Sequence, residues 1–224
     1  MKFKQVTLVV LLTLCFALTA CEGVEPMLEA ELKADVMEEI LSSEFSSATD
    51  QFSLRYPADW AAEEDMEGGV LVIANSEMAL ARFNAGEAEP GDVVLHIGFL
   101  PAEFFAAFDV PVGTTPKDTL QAMMPVLKIA GHHANDTADD ATVSEIEVVA
   151  LDDTREAALV MVSANQREGG FMVSEVAKGI TAIISIVTAP GEFETMSDIL
   201  LAVTATIEFK GTSEVLWQAM LGAE

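Results

Sequence analysis

The chain has 224 residues, 51% of them hydrophobic, which is enough for a sizeable core and far from the composition of a disordered segment. Against 37 Asp and Glu stand 11 Lys and Arg, a formal net charge of -26. Such a field repels phosphate backbones and anionic headgroups, so nucleic acid binding and electrostatic docking on a membrane are not expected; it attracts cations or basic proteins, suits a salty medium, or simply hydrates the surface.

The first twenty residues have three zones. Lys2 and Lys4 make a short basic start, Val6 to Ala17 are almost wholly apolar, and small residues lead to Cys21. This is the pattern of a secretory signal, and the apolar run falls short of the roughly 20 residues that a membrane-spanning helix needs. The four residues Leu18-Thr19-Ala20-Cys21 resemble the lipobox of bacterial lipoproteins. The resemblance implies removal of residues 1–20 and a diacylglyceryl group on the Cys21 thiol, often with a further acyl chain such as palmitate on the new amino group. A mature chain of 204 residues would then be exported and anchored to a bacterial cell membrane, its domain facing outside the cytoplasm. Two or more acyl chains hold stably where one does not. Lys2 and Lys4 would leave with the signal, so 9 basic residues would face 37 acidic ones, a net charge of -28. The other cysteine, Cys15, lies in the removed segment, so no disulfide is expected and stability must come from the core.

Residues 21–46 read as an acidic tether. Within it Leu28, Leu32, Val36 and Ile40 recur every four residues, which allows an amphipathic helix serving as a packed element, a partner contact or a spacer. After Asp50 the period becomes two. "FSLRY" reads as a half-buried strand, Pro57 to Asp59 as a turn, Trp60 as the start of a second strand, and "VLVIA" as a short apolar strand after Gly68-Gly69. Asn75 and Ser76 can cap a brief helix through Arg82. In "DVVLHIGFL" alternation puts Val93, Leu95, Ile97 and Phe99 on one face and His96 on the other.

"TTPKDTLQAMMPVLKIAG" predicts a helix with Thr115 as N-cap, Pro116 at the first position, Asp118 as the capping-box acid and Gly131 just past its end; Pro125 should kink or split it. "SEIEVVAL", "EAALVMVSA", "GFMVSEVAK" and "ITAIISIVTA" follow as strands joined by turns short enough for antiparallel hairpins. A helix around Phe193 to Val203, an edge strand in "TATIEF" and a short helix in residues 211–224 capped by Ser213 complete the chain. The fold class is therefore α+β, a mostly antiparallel sheet of about six or more strands flanked by helices, in one domain over residues 47–210.

"FSLRYPADW", then "GGVLVIANS" and the later hairpins, resemble the Mog1/PsbP-like fold, an α/β sandwich that includes lipid-anchored PsbP-like and DcrB-type proteins, whose domain opens with a phrase like "FSFRYPxxW". The likeness spans about residues 47–209, and its sharp motif is the opening nonapeptide. It implies an accessory or binding role without a shared catalytic signature, so it carries over no functional residue beyond Cys21.

The polar cluster "GHHANDTADD" holds His132, His133 and Asp136, with Asp139 and Asp140 nearby, a donor set able to take Zn²⁺ or Mn²⁺ from a loop. The blander reading, and the preferred one, is a solvated loop after a helix, with its histidines near the negative helix end. There is no Gly-x-Ser-x-Gly, no phosphate-cradling glycine loop, and no thiol in the mature chain beyond Cys21. No catalytic residue and no cofactor are therefore expected. The expectation is a lipid-anchored envelope protein that reaches the membrane through Cys21, its domain a non-catalytic binding or accessory module for an envelope protein partner or a cation. The alternatives are a divalent-cation binder using His132, His133 and Asp136, or a hydrolase built on His96 or the His132 loop.

Overall fold

The computed structural model describes residues 40–65, 70–85, 89–107, 115–134, 142–164, 167–189 and 191–221. The strands are β1 (Ser43–Ser46), β2 (Phe52–Tyr56), β3 (Ala61–Asp65), β4 (Val70–Ala74), β5 (Val94–Pro101), β6 (Thr142–Val143), β7 (Glu147–Ala150), β8 (Glu156–Ala164), β9 (Arg167–Ala177), β10 (Ile180–Thr188) and β11 (Glu208–Phe209). The helices are α1 (Glu77–Ala85), α2 (Ala102–Ala107), α3 (Pro116–Ala134), α4 (Phe193–Ala205) and α5 (Ser213–Leu221). An eight-stranded sheet runs β3-β4-β5-β10-β9-β8-β6, with β7 also on β8, and a three-stranded sheet runs β1-β2-β11. Every pairing between them is antiparallel. The expected α+β class, a mostly antiparallel sheet flanked by helices, is what the chain forms.

Both faces of the large sheet are covered. On β10, Ile180, Ala182, Ile184 and Ile186 enter one core, while Ile183 and Val187 enter another on the opposite face. The alternation that sets this is a strand's period of two, and burial on both sides turns it into the nearly continuous apolar run "ITAIISIVT". Helix α4 brings Phe193, Leu200, Leu201 and Val203 to the first face, where the small sheet adds Phe52 and Leu54. The second face holds Phe105 of α2 and Leu120 and Met123 of α3. Farther along that face, Ala79 and Leu80 of α1 meet Ala74 and Val94.

Local signals set the starts of two helices. Ser76 accepts a hydrogen bond from the Ala79 amide as the cap of α1, and Thr115 and Asp118 form the expected box at the start of α3. Other details differ from the sequence reading. Helix α3 runs on through Pro125 and Gly131 to Ala134 as one element, so neither residue ends it. The cap of α5 is Thr212, whose hydroxyl accepts from the Val215 amide; Ser213 instead donates to Glu103 of α2. The second strand starts at Ala61, because the Trp60 amide is spent closing the turn onto the Pro57 carbonyl. Ser43–Ser46, read as tether, pairs with β2 as β1, and Leu41 before it is fully buried.

Gly170 on β9 pairs with Ile186 and Met161, and a Cβ there would sit 2.7 Å from the fully buried ring of Phe193. The ring that starts α4 therefore lies against bare backbone. Gly170→Ala is expected to destabilise the fold by about 2 kcal/mol, lowering the thermal midpoint by about 4–8 °C. The double change with Phe193→Leu should recover part of that loss, checked by thermal unfolding of the three chains.

Candidate functional site

A groove of about 700 Å³ opens where the outer face of the small sheet meets the connection from α4 to β11. Because Phe52 and Leu54 of β2 point into the core, Ser53 and Arg55 point out, and the register sets Glu44 opposite Arg55 and Glu208 opposite Ser53. Arg155, Thr206 and Lys210 complete the polar lining. Three of the chain's 11 basic side chains thus converge on one groove of a strongly acidic protein.

Their situations differ. Arg155 is delivered by the turn between β7 and β8, in which Asp152 Oδ1 accepts from the Thr154 and Arg155 amides and from the Thr154 hydroxyl. Asp152 Oδ2 takes Arg155 Nε at 2.6 Å, and the rest of the guanidinium donates to the carbonyls of Ile207 and Ala205. Arg155 therefore caps the last carbonyl of α4, Ala205, and that of Ile207 just beyond the helix, where a cation is favoured. Desolvation pushes the Asp152 carboxyl up, but the hydrogen bonds from Thr154 and Arg155 outweigh it and hold the group well below the usual carboxylate range. Lys210 pairs with Asp50 at 3.1 Å between two exposed side chains. Arg55 is half-buried, and among the described residues its guanidinium has neither a hydrogen bond nor an ion pair, although Glu44 lies directly across the strand pair. Its backbone is fixed by Thr206, whose hydroxyl accepts from the Arg55 amide at 2.9 Å.

His96 sits on the opposite face of β5 from Leu95 and Ile97, as its alternation predicts, and is buried. Its cross-strand neighbours are Val72 and Ser185, the Phe83 ring of α1 lies 4.7 Å from it, and Nδ1 is 3.3 Å from Ser185 Oγ. Nε2 has no partner. Burial pushes the imidazole down to about 4, so it is neutral at physiological pH. Among the described residues it is a packed core side chain, set between the Phe83 ring and Ser185.

The backbone of His132 and His133 belongs to α3, whereas their side chains, together with Asp136, Asp139 and Asp140, lie outside the described residues, as does Cys21. Among the described residues no three His, Cys, Asp or Glu side chains come together as a metal site. No described helix is long and apolar enough to cross a membrane. Sequence reasoning missed the groove because its charges come from strands and turns up to 166 positions apart, Glu44 to Lys210. The available signal was the rarity of basic residues.

No family model and no curated protein sequence matches the chain. Among solved structures it is similar to the solution structure of cyanobacterial PsbP (CyanoP) from Synechocystis sp. PCC 6803, with 15% identity and a TM-score of 0.45 over 85% of this chain and 97% of that one.

The state of His96 sets a pH dependence. Its folded pKa lies below its ordinary value of 6.5, so between pH 6.5 and about 4 the unfolded chain binds the extra proton and stability falls as pH falls. The expected loss between pH 7.5 and pH 5 is about 2 kcal/mol, and His96→Leu should flatten that slope while leaving the lower-pH loss from Asp92 and Asp152 in place. Urea unfolding of both chains at several pH values checks it.

Proposed function

We propose that the chain is a cell-envelope lipoprotein whose α+β domain, a PsbP-like module, acts as a non-catalytic binding or accessory unit held outside the membrane by lipid on Cys21. One observation carries it: "LTAC" directly follows a basic start and an apolar run too short to span. The distance from there to the fold supports it. Among the described residues the first one buried in the core is Leu41, 20 positions after Cys21, which leaves sequence enough for a link between anchor and domain.

The PsbP-like assignment is supported by the phrase "FSLRYPADW". Phe52 is buried in the core with Tyr56 and Trp60 packed against it, and Pro57 makes the turn, so these residues build the fold and leave the site to the groove. A binding role is supported by the open groove around Arg55, whose guanidinium is uncommitted among the described residues.

Labelled palmitate fed to cells producing the full chain should enter the protein, and its first peptide should begin at a lipid-modified Cys21. Cys21→Ser should take up no label. A wild-type chain that starts at another residue, or that carries no lipid, overturns the anchor.

A further inference from the structure

We propose that the Arg55 groove binds a small amino-carboxylate, either a free amino acid or a short peptide, through its carboxylate on Arg55 and its ammonium group toward Glu44 and Glu208. The proposal rests on the binding role above and names its ligand. A guanidinium is a planar fork matched to a carboxylate, and in a chain with such an excess of acids it would ordinarily be taken by one. Glu44 stands directly opposite on β1, yet no ion pair joins the two. Of the three cations lining the groove, Arg155 is tied to Asp152, Ile207 and Ala205, and Lys210 to Asp50. Arg55 is thus the member with no commitment among the described residues, held in place through its backbone by Thr206.

Charge selects the ligand class. A simple anion approaching a chain of net charge -26 meets repulsion before it reaches the groove, and a dianion such as phosphate would also face Glu44 and Glu208 at close range. A zwitterion carries no net charge and satisfies both signs inside. The volume of about 700 Å³ accommodates a dipeptide.

The test is calorimetric titration of the detergent-purified full chain with alanyl-alanine, its C-terminal amide, its N-acetyl form and free alanine. Alanyl-alanine should bind saturably, and the amide should bind at least about tenfold more weakly. Arg55→Gln should lose the same factor, Arg55→Lys should fall between because it keeps the charge without the fork, and Glu44→Gln should weaken the dipeptide but not its N-acetyl form. Comparable binding of free alanine makes the ligand an amino acid, and binding of the dipeptide alone makes it a peptide. Absence of saturable binding by both, or equal binding by the amide and by an Arg55→Gln chain with an unchanged melting temperature, overturns the proposal. Lipid on Cys21 is read separately by mass spectrometry, so a lipidated chain that binds none of the probes defeats the groove alone, and an unlipidated chain that binds them defeats the anchor alone.

Discussion

Burial of β10 on both of its faces organises the molecule. A strand that faces solvent on one side can alternate polar and apolar residues, but β10 sends Ile184 and Ile186 into one core and Ile183 and Val187 into the other. Each face then requires a cover, and the chain supplies two different ones: α4 with the small sheet on the first, and α1, α2 and α3 on the second. Fully burying an aliphatic side chain contributes roughly 1.5–3 kcal/mol, so the central strands outweigh the single unsatisfied imidazole nitrogen of His96, which costs about 1–3. The layers follow from that need, and with them the place where the small sheet meets the end of α4.

The long central strands were legible because their period and turns agreed. "EAALVMVSA" is β8 residue for residue, and Lys178-Gly179 makes the β9–β10 turn with Gly179 at φ 74°. What escaped notice had too few residues to carry a period. β1 offers one apolar side chain, Phe45, in four positions, and its strand character comes from pairing with β2 and from Phe45 resting 5.8 Å from Phe52. α2 is six residues directly after β5. Pro125, expected to kink or split its helix, does not split it: α3 packs through Leu120 and Met123 before the proline and continues past it. The groove is a product of register and of the Asp152 turn, neither of which a one-dimensional pattern contains.

The edges of the large sheet are treated unequally. β3 carries "AAEED", with Glu64 accepting from the Ala48 amide, so one edge is acidic and partly engaged. At the other edge β8 is served by two short pieces, β6 on Val162 and Ser163 and β7 on Glu156 to Leu159. Broken or charged edges resist pairing with a second sheet.

β1 also gives the fold a mechanical character. Its first residue, Ser43, pairs with the last residue of β2, Tyr56, and the turn joining the two strands lies at the far end. A pull transmitted through residue 40 therefore bears on the ladder at its open end and peels it one pair at a time, the low-force geometry of a zipper, in contrast to the shear that loads all pairs together. Among the described residues the first resistance is the withdrawal of Leu41 from the core, and once it yields, β1 and the turn after it, residues 42–51, pay out before the load reaches β2. The domain thus carries a yielding link at its N-terminal side, able to absorb strain while the eight-stranded sheet stays closed.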